Sequence, residues 1–342
     1  MPDASGNAPL ALAELKQWVS EATVDWLQEA ENEEAAWRAK NEVEIAGNGA
    51  ALFAEEHDSD EEKDPTKYRV RVWCTSRSNP DGIFKDPWIS PSQEDNVGDK
   101  SKEVRVVYTL SESWQGYGDI LWASARHISN MLGHPESCCK LLAPSVTEGD
   151  YHPGDKHPLL GLSFLELGAG AGVPSWTAMR CGARVVCTDQ AVPDRIRSIA
   201  ECAERNWREM NVGDVDEQTI KMAGKSRACA LDWGGSVNHI LECLDSDKTE
   251  RFDVIVAADC CYMPWLQPKL LESIDMLLSS RGVALVPFAL HGNAKDDDVW
   301  GIVDRAKERN FQVEVLEPKQ LTPPNAGMDS KQALVHTIRL TR

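Results

Sequence analysis

The sequence predicts an α/β fold with a mostly parallel sheet of seven strands, preceded by a helical and β-rich extension. From Leu162 onward, apolar runs of strand length alternate with amphipathic segments of helix length, which is the pattern of successive β-α units. A glycine-rich loop follows the first of these runs. Only a loop with proline, asparagine and glycine separates the last two runs, so the sheet is expected to end in an antiparallel C-terminal hairpin.

An amphipathic helix is predicted near the N-terminus, within a helical extension over residues 1–54. Between residues 10 and 40, apolar side chains recur at alternating spacings of three and four, at Leu12, Leu15, Val19, Ala22 and Trp26. Such a stripe packs on the body of the same protein or binds a partner. The sequence favours the first interpretation and leaves the second open.

Two strands are predicted in front of the main domain, in a β-rich segment over residues 67–113. Tyr68–Cys74 and Glu103–Leu110 alternate apolar and polar residues, as half-buried strands do. The polar stretch from Ser76 to Lys102 between them predicts a long loop. Residues 55–66 are dense in acidic residues and poor in apolar ones, which predicts a solvated acidic linker.

The main domain is predicted over residues 114–342 and begins with a helix that ends at Gly133. Apolar residues on one face of this helix are Ile120, Leu121, Ala125, Ile128 and Leu132. The predicted strands are Leu162–Leu167, Arg184–Thr188, Arg227–Leu231, Phe252–Ala258, Gly282–Ala289, Phe311–Leu316 and Leu334–Leu340. Helix-length segments separate the first five strands, so those strands are expected to lie parallel.

The net charge of −19 is concentrated at the N-terminus. Residues 1–66 contain 17 acidic and 4 basic side chains, which leaves a charge of only −6 on the rest of the chain. Nucleic-acid binding is usually driven by Lys and Arg that release counterions from phosphates. The charge distribution therefore argues against a general DNA- or RNA-binding protein.

The ten cysteines predict free thiols in a reducing compartment. Several of them, such as Cys181, Cys187 and Cys229, fall inside apolar runs, where a thiol behaves as a small hydrophobic group. Two C-x-x-C pairs would be needed for a typical zinc site, and the chain lacks that pattern. With no secretory signal pattern and no long apolar run, the protein is expected to be soluble and cytoplasmic, with the nucleus as a second compartment and no membrane partner.

The loop after the first core strand, in F-L-E-L-G-A-G-A-G-V-P-S, predicts a cofactor site. Its glycines, Gly168, Gly170 and Gly172, allow a tight turn and close approach of a ligand to the backbone, at the strand end where open α/β sheets bind ligands. The spacing G-x-G-x-G differs from the dinucleotide pattern G-x-G-x-x-G. Glu166 stands where a carboxylate can meet a cationic amino group, and Asp189 at the end of the second strand can accept the hydroxyls of an adenosine ribose.

Four motifs carry a resemblance to a known family. They are I-L-W-A-S at Ile120–Ser124, the glycine loop with its flanking residues, L-D-W-G at Leu231–Gly234, and A-D-C-C-Y-M-P-W at Ala258–Trp265. Together they resemble the class I S-adenosylmethionine-dependent methyltransferases, and within them the protein-lysine methyltransferase family that includes fungal nicotinamide N-methyltransferase-like proteins. The resemblance covers Trp114 to Arg342. It implies a Rossmann-like seven-stranded methyltransferase sheet with S-adenosyl-L-methionine as the cofactor.

The resemblance also implies roles for the residues of the glycine loop. Gly168, Gly170 and Gly172 would lie along the methionine part of the cofactor, with Glu166 near its amino end. Asp189 would hold the ribose.

Further cofactor contacts are implied by the other motifs. Asp232 and Trp233 match the family's adenine-side pair, in which one residue accepts from the exocyclic amine and the other forms a flat apolar wall. Trp122 matches an aromatic residue near the pocket entrance, and Ala258 begins the motif after the fourth strand. Without the motifs that surround them, Trp122 and Trp233 would be interpreted as half-buried aromatic residues of the core.

Asp259 and Tyr262 are the candidate catalytic residues. They form a D-x-x-Y motif directly after the fourth strand, a motif that the family carries in its lysine-specific members. A carboxylate and a phenol can orient the hydrogens of an amine, and an aromatic face favours the positive charge that develops on it. As an alternative, Asp259 would only cap a helix that begins near Pro264. Asn206 lies where the family often has an asparagine and could equally cap a helix end.

The predicted function is methylation of a protein lysine by in-line transfer, with a basic substrate such as a translation factor or chaperone. The acidic N-terminus would attract such a substrate. Cys260 and Cys261 stand where adenine methyltransferases carry two prolines, which argues against methylation of a base. The M-P-W sequence after Tyr262 resembles the nicotinamide-like branch, so a small amine or a protein N-terminal amine stays open. A non-catalytic module that binds the cofactor and a basic partner is the alternative from another class.

Overall fold

The computed structural model describes residues 10–47, 71–76, 103–109, 121–142, 152, 155–212, 215–244, 248–290, 294–321 and 333–342. It confirms an α/β sheet of mostly parallel strands with an antiparallel C-terminal pair. The predicted linker over residues 55–66 lies outside the described residues, as does most of the loop from Ser76 to Lys102. None of the helices in the described ranges is long and apolar enough to cross a membrane.

The central sheet has seven main strands and a short eighth. The described strands are β1 (Arg71–Ser76), β2 (Glu103–Tyr108), β3 (Ser163–Leu167), β4 (Arg184–Asp189), β5 (Arg227–Ala230), β6 (Phe252–Val256), β7 (Leu278–Ala289), β8 (Gln312–Val315), β9 (Lys319–Gln320) and β10 (Leu334–Thr341). In the sheet the order is β5-β4-β3-β6-β7-β10-β8, and β9 pairs with β10. The strands from β5 to β7 are parallel, while β10 runs antiparallel to both β7 and β8. The chain reverses direction across the sheet between β3 and β6, which is where ligands bind in such folds.

Helices cover both faces of this sheet. They are α1 (Leu12–Leu15), α2 (Glu21–Gly47), α3 (Ala123–Gly133), α4 (Pro135–Leu142), α5 (Val173–Arg180), α6 (Pro193–Val212), α7 (Glu217–Ala223), α8 (Asn238–Glu242), α9 (Gln267–Leu277), α10 (Asp296–Trp300) and α11 (Ile302–Glu308). Successive strand residues alternate between two cores, so Phe164 packs with α3 to α6 and Leu165 packs with α8, α9 and α11. Both faces of the parallel strands β3 to β7 are therefore buried over most of their length, which explains their apolar runs.

The N-terminal segment is not one continuous helix, contrary to the prediction over residues 10–40. Helix α1 and a 3-10 turn end at Trp18, Val19 is extended and bridges to Ala228 at the sheet edge, and α2 begins at Glu21. The break arises because the edge of β5 offers backbone groups for pairing, a tertiary contact that overrides helical spacing. Leu12, Leu15, Trp18 and Val19 are buried in the main core. Leu12, Leu15 and Val19 of the predicted stripe thus pack on the body of the same protein, whereas Ala22 is exposed.

The two strands predicted before the main domain, β1 and β2, pair with each other in antiparallel orientation, and Asn206 connects β2 to the main domain. The Val107 amide donates to Asn206 Oδ1 over 2.9 Å, and Asn206 Nδ2 donates to the carbonyls of Val107 and Cys202 over 2.6 and 2.8 Å. Asn206 is fully buried in the middle of α6 and does not cap a helix end. Its amide acts as a short extra strand partner for β2.

The substitution Asn206→Ala is expected to lower the free energy of unfolding by about 2–4 kcal/mol, because it leaves the buried amide and carbonyl of Val107 without their partner. Urea unfolding followed by circular dichroism measures this loss. The control is Asn211→Ala, which removes an exposed asparagine that donates to the Trp207 carbonyl on the same helix. The control should cost less than about 0.5 kcal/mol. Equal losses in the two variants would contradict the role of Asn206.

Candidate functional site

A cavity of about 330 Å³ lies at the carboxyl ends of the parallel strands. A volume of this order accommodates a small organic ligand. Nine of the eleven predicted site residues line it, namely Trp122, Gly168, Gly170, Asp189, Asp232, Trp233, Ala258, Asp259 and Tyr262. Residues from five separate segments of the chain meet there, so the fold brings together most of what the sequence indicated.

The glycine loop forms one wall of the cavity and needs glycine for two different reasons. Gly168 has φ +66°, and an added Cβ would lie 2.8 Å from Cys260 Sγ and 2.9 Å from the Trp233 ring. Gly170 has φ +53°, but an added Cβ would meet no atom within 4 Å. Gly168 therefore permits close packing against the protein, whereas Gly170 presents bare backbone to the open cavity.

Asp189 fixes this loop to the end of β4. Its carboxylate accepts the Gly170 amide at 2.7 Å, the Gln190 amide at 2.7 Å and Arg195 Nη1 at 2.8 Å, and its side chain is almost fully buried. A carboxylate offers about four acceptor positions. One position is left for a ligand hydroxyl, so accepting both hydroxyls of a ribose, as the sequence predicted, requires one of the three donors to move.

Arg195 and Gln190 are site residues that the sequence analysis missed. Both line the cavity, and Arg195 forms a buried ion pair with Asp189. The signal available in the sequence was the position of Arg195, six residues after Asp189 in the first turn of α6. An arginine there faces back toward the strand end that precedes the helix, and it holds the Asp189 carboxylate in place.

Glu166 and Gly172 lie behind the glycine loop and do not line the cavity. Glu166 is fully buried and accepts the Ser175 amide over 2.9 Å, while Gly172, at φ +67°, is the residue before α5. In this position the Glu166 carboxyl group does not face the cavity, so the predicted contact with a cofactor amino group is not formed there. Glu166 instead satisfies a free amide in the first turn of α5, since Gly172 has no side chain to do so.

Burial raises the pKa of Glu166 to about 8 from its ordinary 4.5, an effect that the hydrogen bond from Ser175 only partly opposes. The carboxyl group is therefore protonated in the folded protein at neutral pH. A neutral acid behind the loop adds no negative charge to the buried region next to Asp189.

Aromatic and apolar side chains form the other walls of the cavity. Trp233 is half-buried against Gly168. Trp122 is the residue directly before α3. Asp232 is exposed at the cavity edge. A flat ring beside an exposed carboxylate can bind a planar heterocycle that carries an amino group.

Asp259 is held in an unusual backbone conformation, and each of its carboxylate oxygens accepts a hydrogen bond. Its φ is +53°, its Oδ1 accepts the Ala289 amide at 3.1 Å, and its Oδ2 accepts the Ser124 hydroxyl. The alternative that Asp259 caps the following helix is wrong, because α9 begins at Gln267 and has no side-chain cap. Positive φ at a non-glycine residue is uncommon and is often found at functional sites.

Tyr262 follows Asp259 on the same loop, is half-buried and lines the cavity. The D-x-x-Y motif therefore brings a fixed carboxylate and a phenol to the wall of the cavity that the glycine loop also lines. Such a wall can orient a nucleophile next to a ligand bound along the loop.

The raised pKa of Glu166 predicts that its contribution to the free energy of unfolding depends on pH. Its pKa is higher in the folded state than in the unfolded state, so its contribution is fully present below about pH 4.5 and is lost as the pH rises toward 8. The variant Glu166→Gln stays neutral and keeps an acceptor for Ser175. The unfolding free energy of the wild type should therefore fall relative to that of the variant between pH 5.5 and 8, by an amount on the order of a few kcal/mol.

Denaturant unfolding at several pH values measures this difference. The control is Glu136→Gln, because Glu136 is exposed and the hydrogen bond from Lys140 lowers its pKa. This control should follow the wild type across the same pH range. Parallel curves for the wild type and Glu166→Gln would show that Glu166 ionises equally in the folded and unfolded states.

Comparison with known proteins agrees with the site geometry. A family model described as lysine methyltransferase matches residues 104–300. The protein N-terminal and lysine N-methyltransferase EFM7 of Gibberella zeae is 31% identical over 185 residues, which are 51% of this chain and 66% of that protein. The proteins of the same name from Schizosaccharomyces pombe and Neurospora crassa are 29% and 30% identical over 55% and 57% of this chain, and 71% and 69% of their own lengths.

A solved structure of magnesium protoporphyrin IX methyltransferase from Synechocystis PCC 6803 with bound SAH is similar at a TM-score of 0.36 and 12% identity, over 54% of this chain and 75% of that one. The family model spans more than half of the 342 residues and includes every predicted site residue. The chain belongs to the lysine methyltransferase family.

Proposed function

We propose that this protein transfers a methyl group from S-adenosylmethionine to the amine of a lysine side chain in a protein substrate. The observation that carries the proposal is that the glycine loop and the D-x-x-Y motif line one cavity. The family model and the printed names of the relatives support lysine as the acceptor. The match with the Gibberella relative spans 66% of that protein, so its substrates are transferred here only as part of the proposal.

The residues of the cavity fit the methyl donor. Gly170 leaves open space where any side chain would stand, and the half-buried Trp233 offers a flat wall for an adenine. Asp189 retains an acceptor position for a ribose hydroxyl. When bound, S-adenosylmethionine supplies an electrophilic methyl group on a sulfonium.

The remaining residues act on the acceptor amine. A free lysine has a pKa near 10.4, so the site must favour its neutral form before attack. Leu121, Ala125, Met263 and Leu266 line the cavity with apolar surface, which lowers the pKa of an amine that enters it. Hydrogen bonds from the Ala289 amide and the Ser124 hydroxyl orient the Asp259 carboxylate. It therefore positions the amine, and Tyr262 provides the aromatic face for the developing charge.

An N-terminal protein amine is the second candidate acceptor. The names of the relatives in Gibberella zeae and Schizosaccharomyces pombe include both N-terminal and lysine methylation. An α-amine has a pKa near 7.7–8.0, so it needs less help to lose its proton than a lysine does.

We further propose that the protein works on basic substrates in the cytoplasm, with the nucleus as a second location.

Transfer of a labelled methyl group tests the acceptor class. The protein is incubated with methyl-labelled S-adenosylmethionine and either whole-cell protein or a panel of small amines. We expect label in protein bands, with the modified residue identified as lysine by mass spectrometry. Label on protein N-termini alone would favour the second candidate, and label only in small amines would contradict the proposal. Donor binding without any transfer would indicate a non-catalytic binding module.

Two glycine substitutions test whether the donor lies along the loop. Gly170 and Gly161 both have positive φ and open space around an added Cβ, but only Gly170 lines the cavity. Gly170→Ala should weaken donor binding by at least about tenfold, because the methyl group occupies the surface that the donor needs. Calorimetric titration with S-adenosylhomocysteine measures this change.

Gly161→Ala is the matched control, since it introduces similar backbone strain away from the cavity. Its affinity for S-adenosylhomocysteine should equal that of the wild type. If both variants bind as the wild type does, the donor does not lie against Gly170.

A further inference from the structure

Trp265 is a large aromatic side chain left in solvent beside the cavity. It is 72% exposed, and among the residues whose side-chain burial the structure describes, the only other exposed large hydrophobic side chain is that of Val315, at 49%. An exposed tryptophan forgoes a large gain from burial, and tryptophan is enriched at residues that anchor binding partners. The exposure of Trp265 therefore indicates a site where a binding partner docks, and its place in the fold indicates which partner.

Trp265 stands on the rim of the cavity described above. Tyr262 and Met263 before it and Leu266 after it all line that cavity. The loop is a defined turn, because the Leu266 amide donates to the Met263 carbonyl over 2.9 Å. Trp265 is thus an exposed residue of the same loop that carries the D-x-x-Y motif and lines the cavity.

The loop is also fixed from below by the buried Gln267. Its Nε2 donates to the carbonyls of Cys261 at 2.9 Å and Val299 at 3.0 Å, and its Oε1 accepts from Arg305 Nη1 at 2.7 Å. These bonds attach both ends of the loop to α10 and α11. The Trp265 ring is therefore presented on a rigid support, which lowers the entropy cost of binding a partner there.

Acidic residues on helix α10, which packs beside this loop, indicate that the partner is positively charged. Asp296, Asp297 and Asp298 are consecutive and exposed, and Gln267 contacts the backbone of α10 at Asp298 and Val299. Exposed carboxylates on the helix that Gln267 joins to this loop attract cations, and cations also bind to the face of an indole ring. A basic peptide satisfies both features.

We propose that Trp265 is the docking residue for the part of the protein substrate that carries the acceptor amine, and that this part is basic. The proposal rests on the proposed function, because the docked segment must deliver its amine to the same cavity. A small-molecule acceptor would not reach an aromatic ring outside the cavity, whereas a protein substrate extends past the cavity rim. The rim thus separates a protein substrate from a small amine.

The test measures binding of a labelled short peptide of alternating lysine and glycine to the protein saturated with S-adenosylhomocysteine, by fluorescence anisotropy. Trp265→Ala should weaken this binding by about three- to tenfold. The combined replacement of Asp296, Asp297 and Asp298 by Asn should weaken it and flatten its dependence on salt. A peptide with glutamate in place of lysine should bind at least about tenfold more weakly than the lysine peptide.

Matched controls remove an exposed apolar group or an exposed charge elsewhere. Val315→Ala removes the other exposed hydrophobic side chain, and Asp304→Asn removes an exposed acid on α11. Both should bind the lysine peptide within about twofold of the wild type, and all variants should bind S-adenosylhomocysteine equally well. Trp265→Ala should also lower the incorporation of labelled methyl into whole-cell protein.

Three results would overturn the proposal. They are failure of the wild type to bind the lysine peptide, equal binding by Trp265→Ala, and loss of self-association in Trp265→Ala, which would make the rim an interface between two copies of the chain. A wild type that does not bind S-adenosylhomocysteine would instead contradict the proposed function. Donor binding and peptide binding therefore fail independently.

Discussion

The hydrogen bond from the Gly170 amide to Asp189 is the interaction on which the site depends. It joins the loop after β3, a strand next to the point where the strand order reverses, to the end of the neighbouring strand β4. Because Arg195 holds the same carboxylate from α6, the loop is fixed from two sides. The backbone of Gly170 can then face an open cavity with no side chain in between, which is the surface that a cofactor with a charged, flexible tail requires.

Each buried acidic residue of this site holds a different part of the structure in place. Glu166 stays neutral behind the loop and satisfies the first turn of α5, while Asp189 in front keeps its charge balanced by Arg195. Asp259 fixes the D-x-x-Y loop to β7 and α3 through Ala289 and Ser124. Each carboxyl group is thus engaged before any ligand binds, and such preorganisation favours positioning as the main source of catalysis.

Local sequence patterns predicted the sheet, the glycine loop and most residues that line the cavity. The parallel strands were evident from their apolar runs, and the loop was evident because three glycines follow one strand. The interruption at Val19, the place of Glu166 behind the loop and the pairing of Arg195 with Asp189 were not predicted. All three depend on which segments meet in space, a property that spacing along the chain does not contain. Asn206 shows the same limit, since its partner Val107 is 99 residues away.

The most direct test of this account is a crystal structure of the protein with S-adenosylhomocysteine. We expect the ribose on the Asp189 carboxylate, the adenine against Trp233 and the homocysteine part along Gly170. The thioether sulfur should face the wall formed by Asp259 and Tyr262. A ligand bound elsewhere, or a cavity filled by side chains with Asp189 turned away from the ribose, would contradict the central claim.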